Sequence, residues 1–301
     1  MKTANAFAAA SPEPGGLAGL RALKIDGGAV TRVERDTSPA ATYCGRLNHN
    51  VPPRTVVKIV LNPARGSNIN VEVTLPDPGN WNGRLLGIGS GGPGGGIVDG
   101  LWMMTFGWAV ATTDMGTAPR PGAETPEQSG IRNPEVWRDF GFRATHLMTT
   151  AAKQVIETYY GKAPDYSYFF GGSTGGQQAL QEAQRHPDDY DGIVANVPAH
   201  CRTPLHAYFL WNDQVLHRCP FTTSQQESVI AAGIECMAHR ELTPITAGKM
   251  VSDPRRDGKD IEAVIALARQ KDPTLTQEHT EALRKLFDGP RHAVTGERIF
   301  G

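Results

Sequence analysis

This 301-residue chain lacks a dominant charge. Its 30 Lys and Arg stand against 31 Asp and Glu, for a formal net charge of −1. Phosphate backbones and anionic membranes are met by clustered positive charge, so a general nucleic-acid or lipid-surface binder is disfavoured. Basic pairs such as Arg255–Arg256 are short and sit beside acids. Long apolar runs are also missing. No stretch reaches the roughly 18–20 residues of a membrane-spanning helix. The patch Ala6 to Ala10 falls short of the about 7–15 apolar residues of a secretory leader. Cysteine is scarce: Cys44, Cys201, Cys219 and Cys236, none in a CxxC or other metal-ligand spacing. A disulfide scaffold is therefore not expected. The reading is free thiols in a reducing compartment, with one bridge among the last three left open.

What is present is enough apolar residue, 39%, for a large core, as one big domain or a domain plus a second unit. The 34 Gly and 22 Pro are interleaved with apolar runs and mark turns rather than disorder. Residues 1–36 read as a tail and lead-in. Strand signals follow at Val56–Leu61 and Asn70–Leu75, with Ile69, Val71, Val73 and Leu75 on one face. Arg84–Gly89 is a short apolar strand that runs into a glycine-rich loop, Gly89–Gly96. Trp108–Thr113 is another strand, and the prolines of residues 117–135 predict an irregular loop. Helical spacing carries Phe140 through Tyr159, stopped by Gly161 and Pro164. Tyr166–Phe170 (strand), Gly175–Arg185 (helix) and Gly192–Val197 (strand) complete an alternation that predicts a mostly parallel sheet with crossover helices over residues 37–200. Residues 201–301 show helices at Ser224–His239, Gly258–Arg269 and Thr276–Phe287 without a strong strand, as a helical insertion would.

The sharpest motif is Gly171-Gly172-Ser173-Thr174-Gly175, a G-x-S-x-G with a strand before it and a helix after it. A serine on such a tight turn needs neighbours without bulk, supplied by Gly171, Gly172, Gly175 and Gly176. The turn lifts its hydroxyl to the carboxyl-end edge of the sheet, beside a helix N-terminus that favours developing negative charge. A Walker A loop would need a lysine, and a dinucleotide fingerprint a different order of glycines. Acyl transfer generates an oxyanion that must meet fixed N–H donors. The candidates are Thr174, the residue after the serine, and Gly91 and Gly92 in the earlier glycine loop.

A base for the serine is harder to find. His186 lies at the exposed end of the elbow helix, His279 on a later helix and His292 in a turn, and all three read as surface residues. His200 follows a strand end next to the elbow strand and is a candidate pocket residue, as is Asp114 at another strand end, where it would orient loops. Asp188, Asp189 and Asp191 read as a solvated turn.

Taken together, the segments from about residue 40 onward resemble the tannase/feruloyl esterase family of α/β-hydrolases. The resemblance is carried in order by Tyr43-Cys44-Gly45, Leu75-Pro76 to Arg84, Gly89–Gly92, Gly107–Val110 with Thr113-Asp114, and Phe142–His146. It continues through Tyr159–Gly161, Tyr168–Leu180, Tyr190–Val194 with Pro198-Ala199, and Asp288–Arg291 with Thr295–Arg298. It implies an α/β-hydrolase core with a helical lid, here residues 201–301 as a partial lid. It also implies a serine carboxylic ester hydrolase acting on aromatic acid esters through an acyl-enzyme on Ser173, with no cofactor and a small-molecule ester as its partner.

The departures shape the expectations further. In the family a cysteine precedes the nucleophile and pairs with one after the catalytic histidine; here Gly172 holds that place. The family's calcium loop, just before a Ser-Asp-Pro like Ser252-Asp253-Pro254, reads here Glu241 to Gly248 with one carboxylate, too few for an ion that takes six to eight oxygens. No metal and a cytoplasmic location are therefore expected. The family's Asp and His follow the lid, so they are expected beyond residue 301. Two rivals follow: a non-catalytic relative or fragment that binds a small molecule or partner, and acyl-transfer or other carbonyl chemistry on the same scaffold.

Overall fold

The computed structural model describes residues 16–38, 40–43, 46–49, 51–98, 100–118, 132–237 and 259–299. The tail before Gly16, Cys44, most of the proline-rich loop, Arg255–Arg256 and the Glu241–Gly248 segment lie outside them. The chain divides into two compact units, Met1–His200 and Cys201–Gly301. Among the described residues no helix is long and apolar enough to cross a membrane.

The first unit opens with helix α1 (Gly16–Ala22), strands β1 (Lys24–Ile25) and β2 (Gly28–Asp36), and a separate hairpin of β3 (Ala40–Tyr43) and β4 (Arg46–His49). Strands β5 (Arg54–Leu61), β6 (Ile69–Pro76), β7 (Arg84–Ile88) and β8 (Ala109–Thr113) follow. Next come helices α2 (Pro134–Arg138) and α3 (Ala144–Tyr160), strand β9 (Tyr166–Gly172), helix α4 (Thr174–Arg185) and strand β10 (Gly192–Asn196). The eight-stranded sheet has the order β1-β2-β5-β6-β8-β7-β9-β10. It is mixed. The run from β1 to β8 pairs antiparallel, and β8, β7, β9 and β10 pair parallel. The crossover alternation read from sequence thus describes the half that carries the site, and a meander extends it on the other side.

Alternation within the strands builds two cores. Leu85, Ala111 and Phe169 face α3 and α4, where Met148, Ala152, Val155, Ile156 and Ala179 close over them. Leu86, Ile88 and Val110 face the other way, onto the short 3₁₀ helix Leu101–Phe106. The four β6 residues Ile69, Val71, Val73 and Leu75 are buried as their spacing requires. Helix α2 was not foreseen in the proline-rich stretch. Pro134 sits at its first position, where the missing N–H is no loss, and Asn133 caps it through its side chain.

The second unit holds four described helices: α5 (Arg202–Arg218), α6 (Thr223–Met237), α7 (Lys259–Lys271) and α8 (Gln277–Asp288). Ala232 of α6 packs on Val264 and Ala268 of α7. Val215 and Cys219 pack on Ala282 of α8. Sequence reasoning passed over α5, whose apolar residues do not form one stripe; among them only Val215 is buried. Cys201, Cys219 and Cys236 form no disulfide, so the bridge left open among them is not made.

Candidate active site

Strand pairing decides what meets at the site. β7 lies between β8 and β9, and all three run parallel. From β7 the chain goes to β8 on one side, and from β8 it crosses back to β9 on the other. That is a topological switch point, where the carboxyl ends of strands leave a crevice. The loop after β7 and the turn after β9 therefore rise side by side. Register confirms this: Ile88 is opposite Phe170, and the Gly89 N–H continues the ladder to the Phe170 carbonyl at 2.9 Å.

Ser173 is the single residue between β9 and α4, with φ 58° and ψ −117°. A non-glycine residue rarely holds a positive φ, and at this ψ the conformation is strained, so the surroundings must impose it. They do so through the backbone. The Ser173 N–H donates to the Asn196 carbonyl at 3.1 Å, and its carbonyl accepts from Ala199 at 2.8 Å and Gln177 at 3.1 Å. Close approach does the rest. A Cβ on Gly171 would lie 2.0 Å from the Gly175 oxygen, and one on Gly175 would lie 3.0 Å from the Gly89 backbone. Ser173 itself is exposed, and among the described residues its hydroxyl has no hydrogen-bond partner.

Thr174 opens helix α4 and is buried, with its hydroxyl donating to the Gly92 carbonyl at 2.6 Å. The predicted oxyanion donors are thus brought together: the helix start and the glycine loop are tied by one hydrogen bond. Gly91 and Gly92 are exposed, and no atom lies within 4 Å of where their side chains would begin. Two buried residues that sequence reasoning missed hold the base of this loop. Gln178 Nε2 donates to the Ser90 carbonyl at 3.1 Å, and Ser90 Oγ donates to the Thr113 carbonyl at 2.6 Å. The signal was present in the spacing, since Gln178 stands one helical turn beyond Thr174 on the same face.

Asp114 is buried. It is 2% exposed, and its carboxylate accepts from Asn70 N at 2.9 Å, Asn70 Nδ2 at 2.5 Å and Gly116 N at 2.8 Å. Burial raises its carboxyl above the ordinary value against those bonds. Its backbone does steady the loop, because the Asp114 carbonyl accepts from Gly95 at 3.0 Å. His200 is exposed and follows Ala199, whose N–H holds the Ser173 carbonyl; its Nδ1 lies 3.1 Å from the Pro198 carbonyl. In the second unit His279 closes a capping box with Thr276 and His292 Nδ1 accepts from Thr295 N, so both serve local turns.

At the far end of α4 the structure corrects the sequence reading. Asp189 is not in a solvated turn: Oδ2 lies 2.7 Å from His146 Nδ1. Asp191 is exposed, as read, although its carboxylate accepts from Ser167 N at 2.7 Å. His186 stacks on His146 with ring centroids 3.8 Å apart. Only the packing of α3 beside α4 brings these groups together, and no local pattern announces it.

A family model described as tannase and feruloyl esterase matches residues 55–301. An uncharacterised esterase of Xanthomonas campestris is 31% identical over 243 residues, covering 80% of this chain and 42% of that one. The feruloyl esterase B of Aspergillus niger is 33% identical over 169 residues, 55% of this chain and 30% of that one. Among solved structures, feruloyl esterase B from Aspergillus oryzae matches the fold with a TM-score of 0.74 at 22% identity, covering 92% of this chain and 56% of its own. The tannin acyl hydrolase from Aspergillus niger matches with a TM-score of 0.61 at 17% identity, covering 95% of this chain and 57% of its own. The chain spans about half the length of these relatives, or less.

Proposed function

Because this chain belongs to the tannase and feruloyl esterase family, we propose that its first unit carries the nucleophile half of a serine carboxylic ester hydrolase site for aromatic acid esters. The observation that carries the proposal is the strained, exposed Ser173 held between the start of α4 and the glycine loop. In this reading the Ser173 oxygen attacks the ester carbonyl and the alcohol leaves. Water then releases the acid from the acyl-enzyme. The Thr174 N–H, with one from Gly91 or Gly92, holds the oxyanion, each donor contributing about 3 kcal/mol. The aromatic acyl group is inferred from the feruloyl esterases among the relatives.

The base that takes the Ser173 proton, and the acid that orients it, are not among its described neighbours. Both are assigned to the part of the longer relatives that this chain does not cover. That assignment suggests the test. Hydrolysis of methyl ferulate is measured for the protein and for Ser173→Ala, with and without imidazole as a base from solution. Imidazole should raise the rate of the protein and leave Ser173→Ala at the solution rate. Equal rates for the two proteins under both conditions contradict the proposal. They support the rival favoured by the unpartnered hydroxyl, a small-molecule binder without catalysis.

We also assign the protein to a reducing compartment, on the free thiols of Cys201 and Cys219. Alkylation of thiols in intact cells should modify them, and protection of both contradicts the assignment.

A further inference from the structure

We propose that His146, His186 and Asp189 form a binding site for a divalent transition-metal ion of the zinc type, at the end of α4 away from Ser173. Helix α4 has 12 residues, so at 1.5 Å per residue the two ends stand roughly 18 Å apart. The proposal is therefore independent of the hydrolase reading.

Geometry comes first. One ligand atom from each of the three side chains lies within 4.8 Å of the other two. They come from three elements of the first unit: α3 supplies His146, the residue after α4 is His186, and the short 3₁₀ turn Pro187–Asp189 ends in Asp189. All three are partly buried, which lowers the cost of taking ligands out of water while leaving an approach for an ion. The 2.7 Å contact between His146 Nδ1 and Asp189 Oδ2 is a hydrogen-bond distance, held by one proton between the two atoms. With a metal in place of that proton, bonds of about 2.0 Å at tetrahedral angles would open the pair to about 3.3 Å. Two nitrogens and one carboxylate oxygen suit zinc, nickel or copper rather than the all-oxygen preference of calcium and magnesium. Three protein ligands leave a fourth position for water.

A second, independent observation concerns Glu182, one turn before His186 on α4. It is fully buried, and neither of its oxygens has a hydrogen-bond partner of good geometry. A buried carboxylate without a partner is costly to charge. A cation held by Asp189 would remove that penalty. Glu182 and Asp189 together would neutralise a dication, with Glu182 as the charge behind the ligand set rather than a ligand. Two cations stand nearby: the Lys153 ammonium donates to the Asp189 backbone carbonyl at 2.6 Å, and Arg185 flanks His186.

The test is calorimetric titration of ZnCl₂ into chelator-treated protein, beside His186→Phe, which retains a stacking ring, and Asp189→Asn. Calcium and magnesium chlorides serve as comparators, and thermal melts are run with and without zinc. The expected result is one zinc per chain, weakened about 100-fold or more in each variant. Zinc should raise the melting temperature of the unmodified protein and not of variants that fold normally without metal. Cobalt(II) should give the visible bands of nitrogen ligation. Zinc affinity within twofold of the unmodified protein in both variants overturns the site, as does tighter binding of calcium than of zinc. Absence of zinc binding at millimolar concentration overturns it as well, and leaves a His146–Asp189 hydrogen bond beside the buried Glu182.

Discussion

The two ends of helix α4 solve different packing problems. At its start the chain is made almost without side chains. Gly171, Gly175 and Gly89 bring three backbone segments into contact, and the one side chain on the turn, Ser173, is turned outward. At its far end the packing is made of side chains, with the His146–His186 stack, Asp189 and the buried Glu182 in one cluster. The first end has no room for a Cβ at Gly89, Gly171 or Gly175. The second depends on how its charges are balanced. The contrast separates a site shaped by sterics from one shaped by electrostatics within a single helix.

Variants at the first end should divide cleanly between chemistry and packing. The largest expected effect is loss of imidazole-dependent ester hydrolysis in Ser173→Ala, by about 10³-fold or more, with the melting temperature little changed. Steady-state kinetics beside a thermal melt checks both halves, and a large fall in stability would blur the contrast. Next is Gly171→Ala. Its Cβ would press on the Gly175 backbone oxygen, so destabilisation of about 3 kcal/mol or more is expected by denaturant titration. A cost below about 1 kcal/mol would show that the turn can relax. Asp114→Asn keeps the shape but replaces an acceptor of three N–H groups with an amide. It should cost about 2 kcal/mol at neutral pH, read in the same titration.

The smaller effects sharpen the point further. Thr174→Val removes the bond to the Gly92 carbonyl and should lower kcat about tenfold with KM nearly unchanged, as expected for a donor mispositioned only in the transition state. Ser173→Gly should abolish activity yet stabilise the protein by about 1 kcal/mol, because glycine holds φ 58° without strain.

The contrast also explains what the sequence could and could not disclose. The steric end was readable because its requirement is local. Glycines at fixed offsets around Ser173, between a strand pattern and a helix pattern, leave few alternatives. The neighbouring Gly89–Gly96 loop was readable for the same reason, although its contact with Thr174 depends on β7 and β9 being adjacent. The electrostatic end was not. His146 lies 40 residues from His186 in the chain, and each looks like a surface histidine until α3 is laid against α4. A carboxylate at a strand end reads the same whether it faces a pocket or bonds neighbouring backbone, and Asp114 bonds Asn70 and Gly116. Helix α5 escaped because its apolar residues surround it rather than lining one face.

The central claim is that Ser173 is a presented nucleophile. The most direct measurement is reaction of the folded protein with a fluorophosphonate in the presence of imidazole, followed by peptide mass spectrometry. The account predicts a single adduct, on the peptide that contains Ser173, and none in Ser173→Ala. An unlabelled Ser173, or a label spread equally over other serines such as the buried Ser90, would contradict it.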